Sequence, residues 1–101
     1  MKIGVQHYFK MIIYETPTKE YQIRKQTNME WAVVFGEELV VYNICKYNQS
    51  LSDWNKKNPE AKLSDFIIVR SEERLKDAFE WLRKNNIISN DEMKQQILEK
   101  L

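Results

Sequence analysis

The sequence has little cysteine, glycine or proline, and it has no long apolar run. Cys45 is the single cysteine among 101 residues, so an intrachain disulfide and a cysteine-based zinc site are both excluded. We therefore expect a reducing compartment, for which the cytoplasm is the simplest choice. The opening residues MKIGVQHYFK lack the apolar region of a signal peptide, and no run approaches the roughly 20 apolar residues of a membrane span. Two glycines and two prolines leave few loops and no linker, so we expect one domain over residues 1–101.

Neither sign of charge dominates the chain. Sixteen lysines and arginines oppose 15 acidic residues, for a net charge of +1. A dedicated nucleic-acid-binding domain usually has a clear positive excess, so this balance argues against one without excluding a local basic patch. Lysine, asparagine and isoleucine are abundant, whereas alanine, glycine, proline and arginine are scarce. Because these groups have A/T-rich and G/C-rich codons respectively, we infer an AT-rich bacterial or phage genome.

The N-terminal quarter has the two-residue period of β-strands. Residues 2–15 alternate, with Met11 and Ile13 on one face and Tyr14 on the other. Pro17 indicates a turn within 16–20. Residues 21–27 then predict a second strand whose polar alternates, Gln22, Arg24 and Gln26, face solvent. The two strands predict an antiparallel hairpin.

Residues 28–57 permit two interpretations. Thr27 and Glu30 have the spacing of a capping box, and apolar residues recur at helical intervals over four turns, which favours one long helix. The helix would carry apolar residues on opposite faces, so a sheet and a second layer would have to cover it. The alternative is a hairpin with its turn at Gly36, followed by a separate helix, and the β-branched residues near 40–44 favour it. We predict the long helix and keep the hairpin as the alternative.

The C-terminal part predicts one strand and two helices. Residues 66–69, FIIV, are apolar throughout and predict a buried strand. Ser71 is the expected cap of a helix that ends at Asn85-Asn86, and Ser89 is the expected cap of the last helix. The predicted fold is α+β, in the order ββαβαα: a small three-stranded sheet, made of the N-terminal hairpin plus one strand, packed on a long central helix and two C-terminal helices.

No constellation of catalytic residues can be recognised. His7 is the single histidine and lacks a carboxylate neighbour in sequence, so a structural role is expected, with a catalytic role as the alternative. Cys45 is expected to be a buried apolar residue, and a Cys45–His7 nucleophilic pair is the alternative. Gly4 and Gly36 stand alone, so no glycine-rich phosphate loop is present. We predict no catalytic residues, no cofactor and no metal.

Aromatic and basic residues supply the candidate surfaces. Trp81 lies beside the apolar stripe of its helix, and it is the first candidate for an interface residue, together with Trp54 and Tyr47. Lys56, Lys57 and Lys62 make residues 55–62 the most basic loop and the candidate nucleic-acid contact. We expect a non-enzymatic protein-interaction module, acting as a homodimer and not at a membrane. The alternatives are a nucleic-acid-binding regulator that uses this loop and a small enzyme that uses His7.

Overall fold

The computed structural model describes residues 8–28 and 39–100, which form a four-stranded antiparallel sheet and three α-helices. The strands lie side by side in chain order, and helices follow β3 and β4. The α+β class is confirmed, whereas the three-stranded sheet and the order ββαβαα are wrong. The elements are β1 (Tyr8–Glu15), β2 (Tyr21–Asn28), β3 (Leu39–Tyr47), α1 (Gln49–Lys57), a 3₁₀ turn (Pro59–Ala61), β4 (Phe66–Glu72), α2 (Leu75–Lys84) and α3 (Asn90–Glu99).

The predicted hairpin is present as β1 and β2. The turn is closed by the Lys19 amide, which donates to the Thr16 carbonyl at 2.8 Å. Pro17 sets the backbone entering this turn, and Lys19 leaves it in the left-handed region with φ of 64°. Thr16 is buried and its hydroxyl accepts a hydrogen bond from the Tyr21 amide at 3.2 Å, which fixes the start of β2. The part of the predicted first strand before Tyr8 lies outside the described residues.

A bulge in β1 changes which side chains share a face. Met11 pairs with Lys25 and Tyr14 pairs with Ile23, while Ile13 has no partner across the ladder. Met11 and Tyr14 therefore lie on the same side of the sheet, where Ile13 also packs against the core, so the predicted placement of Tyr14 on the face opposite Met11 and Ile13 is wrong. One inserted residue reverses the alternation downstream of it, which simple period-two reasoning does not anticipate.

The prediction of one long central helix over residues 28–57 is wrong. Leu39–Tyr47 is a strand that pairs with β2 from Leu39 to Lys46, and α1 is a separate helix. Asn48 separates them, because its side chain accepts the Leu51 amide at 2.7 Å and begins a new helix. Val40 and Ile44 are four residues apart, a spacing that puts them on one face of either a helix or a strand. Thr27 lies in β2, and Glu30 and Gly36 lie outside the described residues.

The predicted strand at 66–69 exists, but it is not buried. β4 is an edge strand that pairs only with β3 among the described elements, and Ile67, Ile68 and Val69 are exposed. Ser71 belongs to this strand, so its predicted role as a helix cap is also wrong. Arg74 instead precedes α2, and its side chain contacts Asp77 at 2.9 Å in the first turn.

The core lies between α2 and one side of the sheet, called here the helix side. Ala78, Phe79 and Leu82, which belong to the apolar stripe of α2, are fully buried. They form one cluster with the strand residues Tyr14, Ile23 and Ile44 and with Ile88. The predicted end of α2 at Asn85-Asn86 is confirmed, and Asn86 has the left-handed φ of 59°. The cap of α3 is also confirmed, since the Ser89 hydroxyl accepts the Glu92 amide at 3.0 Å.

Tyr14 links β1 to α3. Its hydroxyl donates to Glu92 Oε2 at 2.6 Å, and its ring lies 5.0 Å from that of Phe79 in an edge-to-face contact. Burial, together with the hydrogen bond to the Glu92 carboxylate and its charge, raises the pKa of the Tyr14 hydroxyl well above its ordinary value. The neutral phenol is therefore the form that the folded protein stabilises.

Replacing Phe79 with alanine should lower the free energy of unfolding by about 3–5 kcal/mol, because it opens a cavity in the centre of the core. Urea unfolding followed by circular dichroism measures this loss. Leu98→Ala is the matched control, since Leu98 is 73% exposed and its truncation should cost less than about 0.5 kcal/mol. Equal losses in the two variants would contradict the assigned core.

Replacing Tyr14 with phenylalanine should cost about 1 kcal/mol near neutral pH and should flatten the loss of stability in alkali. Below about pH 10 the tyrosine is neutral in both the folded and the unfolded chain. Above that pH the unfolded chain loses the Tyr14 proton first, so the stability of the wild type falls as pH rises. Urea midpoints across this range measure the difference between the two proteins, and parallel pH profiles would contradict the proposed contact.

Candidate functional site

The exposed apolar segment of β4 is the most distinctive surface feature of the described residues. Ile67, Ile68 and Val69 are 41%, 55% and 41% exposed, and we call these three residues the β4 apolar edge. Arg70 follows directly, and its Nε lies 2.7 Å from a Glu72 carboxylate oxygen. A strand at the edge of a sheet also presents unpaired backbone groups to any further strand. The β4 apolar edge thus combines apolar side chains with free hydrogen-bonding capacity.

A network around Asn55 fixes the segment that leads into β4. The Asn55 Nδ2 group donates to the carbonyls of Leu63 and Ser64 at 3.0 and 3.2 Å, and to Asp65 Oδ1 at 2.8 Å. The Asn48 amide donates to the Asp65 carbonyl at 2.8 Å. These bonds tie both ends of α1 to the chain just before Phe66, so the position of β4 is set before its ladder begins.

Hydrogen-bonded polar side chains cross the other side of the sheet, called here the polar side. Asn43 is buried, its amide donates to Gln26 at 2.7 Å, and its oxygen accepts from the Ser71 hydroxyl at 2.7 Å. Arg24 donates from Nε and Nη2 to the Gln22 oxygen at 2.9 and 2.7 Å. The polar face of β2 is present, but the prediction that it faces solvent is wrong: Gln22 is buried, Arg24 and Gln26 are half-buried, and their side chains are hydrogen-bonded.

A cavity of about 300 Å³ lies on the polar side next to β4. The Arg24 guanidinium carbon lies 5.2 Å from the centroid of the Phe66 ring, a cation–π distance. Tyr47 supports the same ring in an edge-to-face contact at 5.7 Å. The lining residues are Arg24, Asn43, Cys45, Ser64, Phe66, Ile67 and Ile68.

The three predicted interface residues do not form one surface. Trp81 is half-buried, packs against the core cluster, and lines a cleft of about 240 Å³ with charged neighbours that include Glu80 and Lys84. Trp54 is 47% exposed on α1. Tyr47 lies at the end of β3 against Phe66. An interface role for each of them stays a prediction.

The predicted basic loop is exposed. Lys56 and Lys57 form the last turn of α1, and Lys62 follows the 3₁₀ turn with φ of 54°. None of the three takes part in a salt bridge among the residues that the structure describes. Arg24 and Lys25 point to opposite sides of the sheet, since Arg24 pairs with Asn43 and Lys25 pairs with Tyr42. At most one of these two can extend the patch.

The residues considered for chemistry are only partly described. His7 lies outside the described residues, and its structural role and the alternative Cys45–His7 pair stay predictions. Cys45 is buried in β3, as expected for a small apolar residue. Residues 8–28 and 39–100 contain no cluster of three or more histidine, cysteine or acidic side chains arranged to hold a metal ion. Within the same ranges, no helix has the length and apolar character needed to cross a bilayer.

Comparison of the chain with protein-family models, with curated proteins and with solved structures finds no match. The surface of the described residues is therefore the basis on which a function is proposed. Sequence reasoning placed the β4 apolar edge in the core, because an uninterrupted apolar strand is typical of a central position. Composition alone carries no signal that separates a central strand from an exposed one, and it gave no reason to group Arg24 with Phe66.

Replacing Asn43 with alanine should destabilise the protein by about 1–3 kcal/mol, because it leaves Gln26 and Ser71 without their buried partner. Chemical unfolding measures this change. Gln49→Ala is the matched control: Gln49 donates to Asp53 at 2.9 Å on an exposed helix surface, and its loss should cost less than about 0.5 kcal/mol. An Asn43→Ala variant as stable as the wild type would show that the hydrogen bonds of Asn43 with Gln26 and Ser71 do not contribute to stability.

Proposed function

We propose that this protein is a non-enzymatic interaction module of the bacterial or phage cytoplasm, and that it forms a homodimer through β4. The observation that supports the proposal is the exposure of Ile67, Ile68 and Val69 on an edge strand. Burying such side chains contributes roughly 25 cal/mol for each Å² of apolar surface removed from water. Pairing of strand edges adds main-chain hydrogen bonds to this apolar contribution.

The charges of β4 favour a second copy of this chain as its partner. Arg70 and Glu72 neutralise each other within the strand, so two copies of the edge meet without like-charge repulsion. Residues 66–72 contain no lysine, the side chain that natural edge strands most often use to prevent pairing. A two-fold axis needs only one self-complementary patch, and antiparallel pairing of β4 with its symmetry mate supplies that patch.

The test is the mass of the native protein measured by light scattering during gel filtration. The wild type should elute as a dimer of the 12.3 kDa chain, and Val69→Lys should elute as a monomer because it buries an unpaired charge at the centre of the interface. Leu98→Lys is the control, since it adds the same charge at an exposed site on α3 and should leave the dimer intact. A monomeric wild type, or a dimer unaffected by Val69→Lys, would contradict the proposal.

A nucleic-acid-binding role is the second candidate, and the exposed lysines 56, 57 and 62 beside Trp54 favour it. The same chromatogram, recorded at 260 and 280 nm, separates the two functions. A protein-like ratio with a dimeric mass supports the interaction module. A raised ratio that falls when the salt concentration increases supports nucleic acid, since counterion release makes such binding salt-dependent.

A further inference from the structure

We propose that the cavity between Arg24 and Phe66 binds a small carboxylate attached to an apolar body. The cavity lies on the polar side of the sheet, and it has one fixed positive charge, a hydroxyl and an apolar wall. The cavity shares Ile67 and Ile68 with the β4 apolar edge, but it does not include Val69, so a substitution at Val69 tests the homodimer and one at Arg24 tests the cavity.

The guanidinium of Arg24 is held in place by a neutral partner. Its Nε and Nη2 groups donate to the Gln22 side-chain oxygen, and the Gln22 amide in turn donates to Glu15 Oε2 at 3.1 Å. Arg24 itself takes part in no salt bridge among the described residues. The Glu15 carboxylate bonds to Gln22 and not to Arg24, so among the described residues no direct ion pair neutralises the half-buried arginine.

The free edge of the guanidinium suits a carboxylate. A guanidinium has five N–H donors, and the bonds to Gln22 use the edge formed by Nε and Nη2. The edge formed by Nη1 and Nη2 keeps the fork that binds a carboxylate through two parallel hydrogen bonds. Stacking on Phe66 restricts the arginine side chain, so less conformational entropy is lost when a ligand binds.

A second donor and the apolar wall define the rest of the ligand. Ser64 lines the cavity, and its hydroxyl oxygen accepts the Phe66 amide at 3.0 Å, a bond that does not use the O–H as a donor. Phe66, Ile67 and Ile68 form the apolar wall, and Ile68 is 55% exposed, so a ligand that covers it removes apolar surface from water.

The size and charge of the cavity argue against larger or more highly charged ligands. A volume of about 300 Å³ is at the small end of ligand pockets, too small for a nucleotide with its sugar and phosphates. One arginine matches one negative charge, whereas phosphate sites typically gather several cationic or amide donors. A monocarboxylate is the chemistry that fits, supplied either by a free organic acid or by the C-terminus of a peptide.

The test uses the full chain labelled with ¹⁵N and titrated with octanoate or octanamide, which have the same apolar body but differ in charge. Octanoate should shift the amide resonances of Ser64, Phe66 and Ile68, and octanamide should bind at least about tenfold more weakly because it lacks the charge-assisted bonds. Equal binding of both compounds, or no shifts at these three residues, would overturn the proposal.

Two variants connect the binding to Arg24. Arg24→Gln should weaken octanoate binding at least about tenfold. Arg74→Gln is the matched control, since Arg74 is exposed, paired with Asp77 and outside the cavity, and it should bind octanoate like the wild type. Unchanged affinity in Arg24→Gln would overturn the proposal. The comparison of octanoate with octanamide in the wild type remains decisive if this variant does not fold.

A second arm distinguishes the two sources of carboxylate. N-acetyl-Ala-Leu with a free C-terminus is titrated beside its C-terminal amide. Stronger binding of the free acid than of the amide assigns the cavity to a peptide C-terminus, whereas binding of octanoate alone assigns it to a free organic acid. Val69→Lys should bind either ligand like the wild type, so failure of the homodimer proposal leaves this result unaffected.

Discussion

The apolar layer between α2 and the two middle strands is the constraint on which the rest of the structure depends. Ile23 and Ile44 are opposite each other in neighbouring strands, and both are fully buried in one cluster with Phe79. Because these side chains must share one side of the sheet, the register of β2 against β3 is fixed, since a slip of one residue would turn them away. The same register puts Arg24 and Asn43 on the polar side.

Sequence reasoning succeeded where a local signal and the global fold agree. The turn of the β1–β2 hairpin and the Ser89 cap depend on contacts within a few residues, and the apolar stripe of α2 is visible as a local periodicity, so all three were predicted. The long helix failed because the spacing of Val40 and Ile44 satisfies the period of a helix and that of a strand equally well. Pairing with β2 decided between them, and that contact is distant in sequence.

The candidate site was missed because it depends on position in the sheet. Phe66–Glu72 has the composition of a central strand, yet it lies at an edge because the chain turns into α2 after it and no described strand follows. Arg24 and Phe66 are also far apart in sequence, and they meet only because β3 brings β2 and β4 to either side of itself. Neither the edge position of β4 nor the contact of Arg24 with Phe66 can be predicted from a short segment of the sequence.

The bulges in both outer strands have a consequence for how large an assembly can become. β1 has its irregularity between Ile12 and Tyr14, and the ladder of β4 shifts where Ile44 and Cys45 oppose it, leaving Val69 without a partner. A regular added strand can follow each outer ladder only for a short distance on either side of the irregularity, so pairing of β4 with its symmetry mate is limited to short segments that flank Val69. A fibril needs long, unbroken ladders of hydrogen-bonded strands, and neither outer strand of the described sheet provides one. The isoleucines of β4 can therefore be exposed without favouring open-ended polymerisation.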